Sequence, residues 1–453
     1  MHELRHEFTS RKVSPWGGIK LFHQAYQESG IRDTIQSIDF PWPESNRGYD
    51  AVDKIEQFMT SVVLGSRRLA HGDYLRADEV VREIFGWKKG IASASAMSRF
   101  FSKFTSIKNQ RQFPTLMKDW WKRQPIERVT LDVDSTVIQR YGNGTMIEGA
   151  TKGYNARRPG RLSHHPIISF CAELNMVVNA WMRPGSTGDA FEASEFIEES
   201  IACLGSRERV GLVRADAGFY SNKLMSMLEG SNTEGAECQP VNYIIRAKMF
   251  APLADAISKL TDGKFQASDK VWKGAEYGQL MYKAQGWEAA RRIIVVRTPR
   301  SLSSGSGSSR QPKLFESDER LSKYHYRVMV TNTSLSGQEV HKLYNGRADC
   351  ENRIKELKHD YGVDGFAFKS MAATEAAFMF VMLAYNIMAL LKQHVLKSRH
   401  RLPTIRFQCI AIGSYLIKSG RSKRLKLSAE GKRRHFLEHI FDNTNQIGLE
   451  LIG

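Results

Sequence analysis

What this chain lacks closes off several classes of protein. Its five cysteines (Cys171, Cys203, Cys238, Cys350, Cys409) form no C-x-x-C pair, and no histidine cluster falls at zinc spacing. A reducing compartment without disulfides or structural zinc is the expectation. The first residues, "MHELRHEFTSRKV", are charged and hold no apolar h-region, so no secretory signal is expected. No apolar run reads as a membrane span. The most hydrophobic stretch, "AAFMFVMLAYNIMALL" at 376–391, carries Asn386 and is closed by Lys392, as a buried core helix would be. Internal repeats are absent. Negative charge is short as well: 66 Lys and Arg against 48 Asp and Glu leave +18 in 453 residues, with a pI near 9.6. That excess points to a polyanionic partner, nucleic acid before membrane.

What is present is a folded chain, 42% hydrophobic and 25% charged, too long for one ordinary core. Residues 1–126 read as a helical N-terminal region, with apolar positions at three- and four-residue spacing in "DAVDKIEQFMTSVVLG" and "ADEVVREIFGW". "SASAMSRFFSKF" suits either the second helix of a helix-turn-helix or an ordinary helical hairpin. From 127 the texture turns β-rich, through "RVTLDVDSTVI", "HHPIISFCAEL" and "MVVNAWM". A "GSTGD" turn then leads into a helical pattern with Asp189 as its N-cap. The strand "RVGLVRADAGF", the helix "SNKLMSMLEG" and the strand "VNYIIRAK" follow. The order β-β-β-α-β-α-β over 127–248 predicts a mixed α/β layer with helices covering a sheet. Residues 249–335 read as a β-rich insertion without helices, containing a flexible Gly/Ser loop, "RSLSSGSGSSR". A Ser-x-x-Glu capping box at 336–339 reopens helix over 336–370. Residues 371–453 read as helices with a basic stretch, "KSGRSKRLKLSAEGKRRH".

The capped helix carries "YNGRADCENRIKELK", an acid set among bases. On one continuous helix, Arg347, Glu351 and Lys358 fall at roughly 300°, 340° and 320° from Tyr344, one arc about 60° wide. A solvated charged face is the rival explanation, and it suits Asp349, Lys355 and Glu356, which lie off the arc. Asp134, in "LDVDSTV", and Asp216, ending "GLVRAD", are carboxylates at strand ends, costly beside an apolar core unless paired or bound to a cation. The plainer roles are a turn or N-cap for Asp216 and a local hydrogen bond to the Ser135–Thr136 region for Asp134. Three carboxylates gathered by a mixed α/β fold would suit two Mg²⁺ ions, which take hard oxygen ligands and leave positions for phosphate.

The pattern Tyr344-x2-Arg347-x3-Glu351-x6-Lys358 resembles the Y-R-E-K signature of bacterial cut-and-paste insertion-sequence transposases with a DDE, RNase-H-like catalytic core. "DVDST", "RADAGFYS" and "KGYNARRPGRLSHHPIISF" add further blocks in the same order, so the likeness runs from about 127 to 362. The resemblance implies Asp134, Asp216 and Glu351 as metal-binding triad, separated by 82 and 135 residues, the second interval holding the insertion. Asp132, two residues away on the same strand face, rivals Asp134 for the first position. Asp134 is preferred because the hydroxyl pair Ser135–Thr136 follows it.

The same resemblance implies Tyr344, Arg347 and Lys358 as contacts to the DNA backbone, His165 near the active site, and Trp272 or Trp287 as a stacking platform for a flipped base. For each Trp, core packing is the alternative. It further implies Mg²⁺, two ions, with Mn²⁺ able to substitute, and no nucleotide cofactor or small-molecule substrate. The partners would be transposon-end and target double-stranded DNA, held by a homodimer in the bacterial cytoplasm on nucleoid DNA, with the basic tail from Arg421 to Arg434 and the N-terminal helices binding ends. The expected reaction frees a 3′-OH by metal-dependent hydrolysis and passes it to target DNA. A nuclease on the same core, a non-catalytic DNA-binding derivative and, more distantly, a glycosidase are the rivals.

Overall fold

The computed structural model describes residues 4, 6–43, 47–141, 147–155, 158–230, 238–268, 270–300, 322–420 and 422–443. The Gly/Ser loop at 301–310 and Arg421 of the basic tail lie outside them. A nine-stranded mixed sheet organises the fold. Its strands, in chain order, are β1 (Val129–Ser135), β2 (Ile167–Cys171), β3 (Met176–Trp181), β4 (Val210–Ala215), β5 (Tyr243–Arg246), β6 (Gln266–Ala267), β7 (Glu276–Tyr282), β8 (Arg291–Pro299) and β9 (Tyr324–Thr331). Across the sheet they stand β6-β7-β8-β9-β5-β4-β1-β2-β3.

The first five strands have the RNase-H order 3-2-1-4-5, with β1, β4 and β5 parallel and β2 antiparallel to both its neighbours. The insertion strands continue this sheet: β9 pairs antiparallel with β5, Val330 opposite Ile245. Register explains what comes next. Val133 of β1 is paired with Ala215 of β4, so Asp134 and Asp216 follow side by side at the C-terminal ends of adjacent parallel strands, where open α/β sheets place their sites.

One described helix, Met371–His394, is long and apolar enough to cross a membrane, and its most hydrophobic window is 94% buried. It packs on the helices Ile19–Glu28 and Ala51–Val63 and on β3. The apolar core is continuous from Ile19 to Ile440. Asn386, the one amide in the helix's apolar run, fits that position because β3 is an edge strand. Its Oδ1 accepts from Val177 N (2.7 Å) and its Nδ2 donates to Val177 O (2.9 Å), satisfying backbone groups that no strand reaches.

Three expectations are corrected here. The insertion does contain a helix, Ala251–Ser258, because Leu253, Ala254 and Ile257 form a buried face at helical spacing behind Pro252 in the first turn. The C-terminal region is helical except for a hairpin, Ser414–Ser419 with Ser422–Leu427, that also pairs with Val13–Ser14. Alternation in "SYLIKS" and "SKRLKL" around Gly420 (φ +58°) carried the strand signal beneath the charge. The helix after the "GSTGD" turn starts only at Ala193, with Glu192 at its N-cap position, which frees Asp189 for other contacts.

Candidate active site

Alternation along β1 and β4 puts Asp132, Asp134, Arg214 and Asp216 on one face of the sheet. Asp132 is fully buried and holds Arg214 with both oxygens, Nε to Oδ1 at 2.6 Å and Nη2 to Oδ2 at 2.8 Å. The remaining Arg214 nitrogen, Nη1, donates to Leu343 O (2.5 Å). Asp132 is thereby a structural counter-ion. Asp134, at the rim, accepts from Ser135 N (2.9 Å) and meets Arg347 Nη2 at 3.0 Å. Asp216 accepts from Gly218 N (2.8 Å), the capping contact its sequence setting suggested.

Glu351 is carried by a helical element that is interrupted at Gly346. The capping box forms as expected, Ser336 Oγ accepting from Glu339 N (3.3 Å) and Glu339 Oε2 from Ser336 N (2.8 Å). The single helix, however, is two: Gly337–Asn345 and Ala348–His359. Between them the chain tightens to three-residue turns, Arg347 N to Tyr344 O (3.0 Å) and Cys350 N to Arg347 O (2.9 Å). Arg214 is the cause we identify. It takes the Leu343 carbonyl, and a Cβ on Gly346 would stand 2.5 Å from its Nη1. Next to this tightened junction Arg347 is buried, and the Glu351 side chain is 58% exposed with its Oε1 3.9 Å from Arg347 Nη1. Tyr344 is half-buried beside Arg347. Lys358 donates to Val137 O (2.8 Å) just beyond β1. Arg353 is buried on Asn175 and the Ala172 carbonyl. Asp349 and Lys355 are solvated, whereas Glu356 pairs with Lys392 at 3.3 Å.

Burial pushes the Asp134 carboxyl up to about 7, and the charges of Asp216 and Glu351 add to the rise against Arg347 and the Ser135 N–H. Burial works against charge on Arg347 too, but Asp134, Tyr344 and Asp216 outweigh it and hold the guanidinium above its usual range. Asp134, Asp216, Arg347 and Tyr344 therefore form one electrostatic group, which Glu351 joins through Asp134 and Arg347. Among the described residues, no three His, Cys, Asp or Glu side chains stand close enough to share a metal ion. Asp134 and Asp216 share one inward-facing guanidinium, Arg347.

The remaining candidates separate. His165 is buried, its Nδ1 donating to Thr187 O (2.6 Å) and its Nε2 3.0 Å from Ser135 Oγ. Trp287 is 9% exposed, packed on Tyr220 and Tyr282 in the core, and offers no face to a base. Trp272 is 41% exposed, stacked on His341 at 5.9 Å with Arg327 over its ring at 4.0 Å. Two residues escaped the sequence reading. Arg214 had a visible signal, since "DVD" and "RAD" place opposite charges at one spacing on paired strands. Asp189 had none beyond the cap assigned to it, yet it lies 2.5 Å from Ser135 Oγ.

Residues 1–449 match the family model described as Transposase DDE domain group 1. The chain is also similar to a solved structure described as the cryo-EM structure of the piggyBac transposase synaptic complex with hairpin DNA, at 9% identity over 98% of this chain and 84% of that one, with a TM-score of 0.41. No curated protein matches it.

Proposed function

This chain belongs to the transposase DDE domain family, and on that premise we propose that it cuts DNA at the ends of a mobile element and joins the freed 3′-OH ends to target DNA. One observation carries the reading. Asp134 and Asp216 stand side by side at the ends of parallel strands, and the helix that carries Glu351 is tied to the same strand ends by Arg214 and Arg347, with Glu351 Oε1 3.9 Å from the guanidinium that meets Asp134. By chemistry the donor set suits a divalent cation, since all three groups are hard carboxylates; in the metal-free geometry Asp134 and Asp216 stand together and Glu351 stands apart, beyond Arg347. Asp134, Asp216 and Glu351 would hold Mg²⁺, or Mn²⁺ in its place. When bound, a pair of such ions neutralises charge on the attacking and leaving oxygens of an in-line phosphoryl displacement.

The protein's own residues do the rest. Arg347 offers a fork and Lys358 a point charge to the phosphates flanking the scissile one, with Tyr344 packed beside Arg347. Trp272, 41% exposed, would stack on an unpaired base once Arg327 or His341 gives up its place against the ring. The helices of 1–126 and the basic segment of 371–453 supply further contacts to the DNA ends, and two chains pair so that both ends are cut together, on DNA in the bacterial cytoplasm. A purely hydrolytic nuclease would free the same ends without joining them, and a non-catalytic DNA binder would do neither.

The test is a duplex carrying the DNA that flanks the coding region, incubated with the protein and Mg²⁺. Nicks leaving 3′-OH ends, followed by strand joining, are expected. Glu351→Gln should lower cleavage on the order of 10³-fold or more while end binding and thermal stability stay unchanged, because the side chain is mostly exposed. Undiminished cutting by that variant would sink the triad.

A further inference from the structure

Resting on the reading of Asp134 and Asp216 as metal ligands, we infer that Asp189 is a positioning residue that fixes the spacing between them. Each strand-end carboxylate is held by a backbone N–H just downstream, Asp134 by Ser135 N (2.9 Å) and Asp216 by Gly218 N (2.8 Å). Asp189 stands between these two turns. Its Oδ1 accepts from Ser135 Oγ at 2.5 Å and lies 3.3 Å from His165 Nε2. Its Oδ2 faces the other turn so closely that a Cβ on Gly218 would be 2.4 Å from it. Glycine at 218 leaves the room in which the carboxylate held by Ser135 also stands against the second turn.

The loop that carries Asp189 is itself clamped. Arg183, buried, donates through Nε to His165 O (3.1 Å) and through Nη1 to Gly188 O (3.3 Å) and Phe191 O (3.0 Å). His165 Nδ1 donates to Thr187 O (2.6 Å), which turns Nε2 toward Ser135 and Asp189. Asp189 is thus a fixed post against which both turns lean. Groups of this kind around a metal site, once removed, commonly lower metal affinity by about 10–100-fold.

The inference is tested by titrating the full-length protein with Mn²⁺ alone, without DNA, while thermal denaturation monitors the fold. Asp189→Ala should weaken Mn²⁺ binding by about 10–100-fold. Asp189→Asn keeps an oxygen for the Ser135 hydroxyl and should stay near the wild type. Adding Ser135→Ala to Asp189→Ala should cost nothing further, because both remove one link. Gly218→Ala leaves Asp189 in the sequence but pushes a methyl against it, and should weaken Mn²⁺ in the same way even where Asp189→Ala does not fold. Wild-type affinity in both Asp189→Ala and Gly218→Ala would overturn the inference. So would an Asn variant as damaged as the Ala variant, which would make the carboxylate a ligand rather than a post. Asp134→Ala and Asp216→Ala are the separate control: if neither weakens Mn²⁺, the underlying metal-site reading fails whatever Asp189 does.

Discussion

Two carboxylate–arginine pairs lie two residues apart on one face of β1, and they are built for opposite ends. At the floor, Asp132 and Arg214 meet through two short bonds with no exposed carboxylate surface. At the rim, Asp134 and Arg347 meet through one contact at 3.0 Å, with the charges of Asp216 and Glu351 pressing on the same carboxylate. A buried pair is tolerable when its polar atoms are hydrogen-bonded, and at the floor each Arg214 nitrogen and each Asp132 oxygen has a partner. The rim leaves surplus negative charge in a partly desolvated place, which a folding unit would avoid and a cation site requires. The same two residue types therefore meet in two different electrostatic settings.

The contrast breaks most visibly at the floor. Asp132→Asn leaves Arg214 buried with half its partner, and removal of one member of such a pair costs about 3–5 kcal/mol. Thermal or urea unfolding should show that loss, and the junction at Gly346 should loosen with it, because Arg214 also holds the Leu343 carbonyl. A variant within about 1 kcal/mol of the wild type would show that the floor pair is not the clamp described here.

How much of this was legible beforehand follows from which forces act locally. The strands around Asp134 and Asp216 were readable because β-branched alternation and a turn directly after each Asp are local signals. So was the buried Met371–His394 helix, whose composition alone demands a core. The capping box at Ser336 formed as its four residues specify. The interruption at Gly346 was not readable, because Arg214, which takes the Leu343 carbonyl, lies 132 residues upstream. Asp189 was hidden for the same reason: its partners Ser135 and Gly218 come from two different strand ends. The hairpin after Gly413 was masked by its lysines and arginines, which look alike on a solvated helix and on an exposed ribbon. The pairing of Glu356 with Lys392 depends on how the central helix packs, which no helical wheel contains.

A smaller effect sharpens the rim. Lys358 reaches Val137 O at 2.8 Å from the end of the helix that carries Glu351, so its charge belongs to the mouth of the site rather than to the core. Lys358→Ala should weaken binding to element-end DNA and reduce the slope of log affinity against log salt by about one, as one phosphate contact disappears. Binding measured at several salt concentrations checks this. An unchanged slope would confine Lys358 to the Val137 contact.

The smallest expected change is the most discriminating, because it repeats the floor substitution two residues on. Without divalent metal, Asp134→Asn removes a carboxylate that burial disfavours and that Asp216 and Glu351 repel, and keeps an oxygen able to accept from Ser135 N and Arg347. Relief of repulsion offsets the weakened ion pair, so unfolding free energy should move by no more than about 1 kcal/mol. Chelator-treated protein at neutral pH is the condition to use, with the Asp132 variant unfolded in parallel. Added Mn²⁺ should stabilise the wild type and not Asp134→Asn, since only ligands that bind the folded state shift its stability. Were the two asparagine variants equally destabilised, rim and floor would be one structural network, and the surplus charge at Asp134 would carry no information about function.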